Sequence, residues 1–83
     1  MYKIFIIPQA QRDLDNLSRK IFEQIKNKIL SLSSNPRPPG CLKLTAEEGY
    51  RIRSGNYRII YRINDEEKVV YIYRIKHRKE AYK

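Results

Sequence analysis

The chain has 83 residues, with 18 Lys and Arg against 9 Asp and Glu and a formal charge of +9. That length suits one domain, residues 1–83, with a thin core that buries about 60–65 % of the unfolded chain's surface; this excludes a deep cofactor cleft and puts any site on a face or in a shallow groove. The charge favours a polyanionic partner, while one Cys and one His exclude an internal disulfide and a zinc-type cluster, so no metal and no cofactor are expected.

Residues 2–7, Tyr-Lys-Ile-Phe-Ile-Ile, have the β-branched and aromatic profile of a strand. Their apolar part is far too short to span a bilayer, and the N-terminus lacks the pattern of a secretory leader, so a cytoplasmic protein with no membrane partner is expected. Pro8 suits the first turn of a helix, where its missing N–H costs nothing. Ala10, Leu14, Leu17 and Ile21 recur at helical spacing, and Ser18 is placed to cap a second helix. Ile21, Phe22, Ile25, Ile29 and Leu32 continue the apolar stripe, so the pair is predicted to be a helical hairpin with one apolar side. Residues 33–40 are a loop, because Pro36, Pro38 and Pro39 remove backbone donors.

The remainder is predicted to be sheet. Residues 42–44 form a short strand, 50–54 and 57–63 flank a Gly55-Asn56 turn, and 68–75 follow a second turn at 64–67. The order β-α-α-β-β-β implies an α+β fold: a mostly antiparallel sheet with the helical hairpin packed on one face. A turn at Gly55-Asn56 sets Arg53 opposite Arg58, Arg51 opposite Ile60 and Ile52 opposite Ile59. Alternation then gathers Arg51, Arg53, Arg58 and Arg62 on one face and Ile52, Ile59, Tyr61 and Ile63 on the other. Like charges directly opposite each other are unfavourable on a sheet, and guanidinium forks suit phosphate oxygens, so the arginine face is expected to hold an anion. The last strand runs into Lys76, His77 and Arg78, with Tyr82 beyond, and its end is expected near Arg58. His77 is the one histidine, the residue type suited to proton transfer near neutral pH.

Three segments resemble the RelE/ParE toxin superfamily: the step Leu42-Lys43-Leu44, the hairpin "Y-R-I-R-x-G-x-Y-R-x-x-Y" from Tyr50 to Tyr61, and the tail "H-R-x-x-x-Y" from His77 to Tyr82. The resemblance implies the small RelE/ParE-like fold, an antitoxin encoded beside the toxin, and, in the RelE branch, cleavage of mRNA on the ribosome. Carried over by position, it places Arg51 and Arg53 near the reacting 2′-hydroxyl and Arg58 on the scissile phosphate. Arg78 falls at the position that protonates the leaving group, and Tyr82 at the C-terminal tyrosine of the site. Lys43, Arg62 and Lys76 are the expected substrate-binding cations. The chain departs from the pattern in carrying arginine for lysine at 51 and 53, since arginine is a poor general base. His77 resembles the histidine of relatives with a histidine-based mechanism.

The expected function is therefore a metal-independent endoribonuclease toxin. Two rivals are a ParE-like toxin that inhibits DNA gyrase and a basic RNA-binding module without catalysis.

Overall fold

The computed structural model describes residues 1–45 and 49–79. Strand β1 (Lys3–Ile6) leads into helix α1 (Pro8–Asp15), with Pro8 in the first turn as expected, and then into helix α2 (Arg19–Ser31). Ser18 occupies the N-cap of α2, but its side chain makes no capping hydrogen bond. Strands β2 (Leu42–Lys43), β3 (Tyr50–Ser54), β4 (Tyr57–Asn64) and β5 (Val69–His77) complete the fold. Among the described residues no helix is long and apolar enough to cross a membrane.

The five strands form one sheet in the order β1-β5-β4-β3-β2. All neighbours are antiparallel except β1 and β5, which run parallel, with Lys3 beside Val69 and Ile6 beside Ile72. The β3–β4 register matches the sequence reading residue for residue, from Arg51 beside Ile60 to Arg53 beside Arg58. Gly55 takes a φ of +59° and Asn56 does not join it in the left-handed region, so only the first turn position uses a glycine's freedom. A Cβ at Gly55 would also meet the Gln24 amide at 2.9 Å, which brings α2 down onto the hairpin turn.

Helix α1 lies over β5, and α2 over β3 and β4. Between helices and sheet is one apolar cluster in which Ala10, Ile25, Leu32, Ile59, Tyr61, Val70 and Ile72 are fully buried. The core contributions of β5 are Val70, Ile72 and Ile75, a spacing that a regular strand cannot place on one face. A bulge resolves it: Tyr61 pairs with Ile72 while Ile60 pairs with Arg74, which leaves Tyr73 as the extra residue. The bulge re-phases the strand, so Ile75 returns to the core.

Hydrogen bonds tie the proline-containing loop to the sheet. The buried Tyr61 hydroxyl donates to the Pro36 carbonyl at 2.8 Å, and its removal from water pushes the phenol's pKa up. Arg37 forms a forked pair with Asp65, at 3.2 and 2.8 Å, and its Nε donates to the Tyr50 hydroxyl. Tyr2 donates to the same Asp65 carboxylate at 2.7 Å. The N-terminal segment, the loop and the β4–β5 turn thus meet at one side chain.

Hydrogen bonds from Arg37 and then Tyr2 hold the Asp65 carboxyl down to about 2, from an ordinary 3.8. A lowered carboxyl contributes stability that is complete above its unfolded value and is lost as pH falls through the folded one. We expect Asp65→Asn to melt below wild type at neutral pH, and the difference to close between pH 3.8 and about 2. Because both partners are exposed, added salt should shrink the difference as well. Thermal melts across pH and ionic strength measure both effects.

Candidate active site on the open sheet face

Strand alternation carries the arginines to the side of the sheet away from the helices. Arg53 lies beside Arg58, and Arg58 lies beside Lys76 of β5, so three cations form a row across three strands. Arg51 sits one step along β3 on the same face. Gly40, Leu42, Arg51, Ile52, Arg53 and Arg58 line a groove of about 290 Å³. Its cations are graded in depth: Arg53 is exposed, Arg51 half-buried and Arg58 only 6 % exposed.

A guanidinium at that depth is costly unless hydrogen-bonded. Among the described residues no buried side-chain nitrogen or oxygen lacks a hydrogen-bond partner, and Arg58 is not without a partner. Burial also lowers the local dielectric, which strengthens the attraction between Arg58 and any anion entering the groove. An arginine cannot shed its proton at working pH, so this groove offers fixed positive charge and directed donors.

The other residues singled out from the sequence divide between places. Lys76 joins the arginine row through its register with Arg58. Arg78 lies just past β5, and its backbone N–H donates to the Asn56 carbonyl at 2.7 Å, which brings it beside the hairpin turn. Lys43 and Arg62 line a different, more open groove at the other end of the sheet, together with Asp65 and Glu66. Tyr82 lies outside the described residues.

His77 is not brought to the arginines. It pairs with Tyr57 on the face that Ile59 and Ile75 turn toward the helices, and its ring meets Tyr57 edge-on at 5.0 Å. Its Nδ1 accepts the Lys79 N–H at 3.2 Å, which leaves the proton of the neutral ring on Nε2. The bulge at Tyr73 is the cause. Unbroken alternation back from His77 would have set that residue opposite the face of Val70 and Ile72, on the arginine side, and the extra residue reverses this. A signal existed in the sequence, in the uneven spacing of Val70, Ile72 and Ile75. Among the described residues no group of three His, Cys, Asp or Glu side chains gathers as a metal site would require.

A small basic α+β fold, with an arginine hairpin exposed on one side of its sheet, defines a class that comparison with known proteins makes specific. The family model for the ParE toxin of type II toxin–antitoxin systems matches residues 4–82. The chain belongs to that family, within the RelE/ParE toxin superfamily. It is 32 % identical to Toxin RelG of Mycobacterium tuberculosis, over 99 % of this chain and 97 % of the relative. It is 27 % identical to the mRNA interferase toxin RelE of Escherichia coli, over 89 % and 82 %. Among solved structures, the toxin–antitoxin complex RelBE2 of M. tuberculosis superposes with a TM-score of 0.84 at 32 % identity, covering 93 % of this chain and 98 % of that one.

The Arg53–Arg58 pair makes a measurable prediction. Arg53→Thr removes a like-charge pair from directly opposed positions and should stabilise the fold by roughly 0.2–1 kcal/mol. Inorganic phosphate should raise the melting temperature of wild type more than that of the variant, because the anion bridges the two guanidiniums only when both are present.

Proposed function

We propose that this toxin is an endoribonuclease that cuts mRNA on the ribosome without a metal ion, and that an antitoxin encoded beside it neutralises it in the cytoplasm. The observation that carries the reading is the Arg53–Arg58–Lys76 row, with Arg58 at the base of a groove sized for a phosphodiester. The name of the E. coli relative, an mRNA interferase, and the toxin–antitoxin complex among similar structures support it.

RNA supplies its own nucleophile. The 2′-oxygen attacks the adjacent phosphorus in line, the 2′-O–P bond forms and the P–O5′ bond breaks. The products are a 2′,3′-cyclic phosphate and a 5′-hydroxyl. Negative charge grows on the phosphorane oxygens, and preformed cations aimed there supply the largest share of the acceleration. Arg58 and Arg53 fill that role, with Arg51 and Lys76 holding the backbone in register. Arg78 donates a hydrogen bond to the departing O5′ as its charge develops, assisted by Tyr82, and solvent supplies the proton that completes the 5′-hydroxyl. The 2′-hydroxyl proton passes to solvent, since no arginine accepts it. His77 acts by position: its ring on Tyr57 and its bond to Lys79 fix the turn that carries Arg78.

Arg58→Ala should lower cleavage by about 100-fold or more. In a translating extract, wild-type arrest and cutting by that variant would refute the assignment. Cleavage should continue in EDTA. His77→Gln should slow the rate less than about tenfold and leave the shape of the pH–rate profile unchanged, whereas a general base would remove an inflection near its own pKa. The family match to ParE favours one rival, inhibition of gyrase. Mapping RNA 5′ ends after brief induction separates the two, because only the nuclease creates new ones.

A further inference from the structure

At the far end of the open face the cations give way to aromatic rings. Phe5 of β1 and Tyr71 of β5 are register partners with centroids 5.8 Å apart and planes inclined at 59°. Arg62 of β4, paired with Tyr71, holds its guanidinium 5.9 Å from the Tyr71 ring centre and 6.0 Å from that of Tyr73. Alternation from Tyr71 brings Tyr73 to this side as well. Phe5 is 52 % exposed, because its neighbours Ile4 and Ile6 turn toward Leu14, Phe22 and Ile29.

A solvent-facing position on a sheet is ordinarily polar, and an exposed aromatic on a strand at the sheet's edge is a liability that folding alone does not require. This patch also lies on the same face of the sheet as the cationic groove. Arg62 lies four residues from Arg58 along the same face of β4, a separation of about 13 Å. Flat rings stacked with a guanidinium, beside a track of fixed positive charge, match a polyanion that carries flat faces of its own. Paired bases hide those faces in a duplex, so the complementary ligand is single-stranded.

We propose that Phe5, Tyr71, Tyr73 and Arg62 form a stacking platform for unpaired RNA bases flanking the phosphodiester held at Arg58. The platform deepens the ribonuclease reading and rests on it for the ligand, but it needs binding only, not cutting. Stacking is tolerant of base identity, so the platform fixes the direction in which the strand lies across the sheet and leaves sequence choice to other contacts.

The test uses the full chain and a short unpaired 2′-fluoro RNA, which has no nucleophilic hydroxyl. A second strand of equal length carries abasic sugars throughout. Binding is followed by fluorescence anisotropy over a salt series. Phe5→Leu and Tyr71→Leu keep apolar bulk and remove the ring. Each should weaken binding of the base-bearing strand by about fivefold or more, leave the abasic strand unaffected, and leave the salt slope unchanged because no phosphate contact is lost. Phe5→Trp should bind at least as tightly as wild type. Wild-type affinity in both leucine variants would overturn the platform and assign the patch to a protein partner. Equal losses on the two strands would overturn it too, since stacking needs bases. An inactive nuclease would still bind as described, so failure of the cleavage reading and failure of the platform are separable.

Discussion

Two guanidinium groups facing each other across adjacent strands are a constraint to which much of the molecule answers. Arg53 and Arg58 are opposed because the Gly55-Asn56 turn sets the hairpin register, and Gly55 can take its φ of +59° without a Cβ that would strike Gln24 of α2. A one-residue slip would bring either Ile52 or Ile59 out of the core and push one pair of arginines under the helices, at a cost in both burial and desolvation. The apolar face of the hairpin therefore enforces the cationic one. Repulsion between the arginines is tolerated because the core behind them cannot be satisfied in any other register.

The bulge in β5 divides the labour between the two faces. Before it, Val70 and Ile72 fill the core, with Tyr71 outside; after it, Ile75 fills the core, with Lys76 outside beside Arg58. One extra residue thus adds a lysine to the arginine row and sends His77 to the helix side. The open face is lined by groups that stay charged, while the histidine packs against Tyr57 beside the turn that follows the strand.

Much of this was legible in the sequence wherever neighbours along the chain determine the answer. Helix α1 starts at the proline that marked it, and the hairpin register follows from a turn and from alternation. What escaped depends on contacts between distant segments. The forked pair of Arg37 and Asp65 joins residues 28 apart, and neither belongs to a motif. The bulge carries no glycine to announce it, and its sign in the sequence, the uneven spacing of Val70, Ile72 and Ile75, is easily overridden by regular alternation, which does not predict that His77 faces Tyr57. The near-complete burial of Arg58 was also hidden, because parity gives a side chain's face and not its depth. Ser18 marked a helix boundary correctly without making the bond that usually explains the preference.

Strand β1 is short, and β5 runs on past its end with an N–H directed at nothing in the sheet. The carboxylate of Asp13, on α1, takes that donor from Ile75 at 2.9 Å and also binds Arg74. Burial alone would raise the Asp13 carboxyl, but hydrogen bonds from Arg74 and the Ile75 N–H more than offset it and hold it ionised. A helix-borne acid therefore seals the unpaired stretch of a strand rich in isoleucine, valine and tyrosine. Any foreign strand that tried to extend the sheet there would have to evict a charged plug, which protects an otherwise sticky border from self-association.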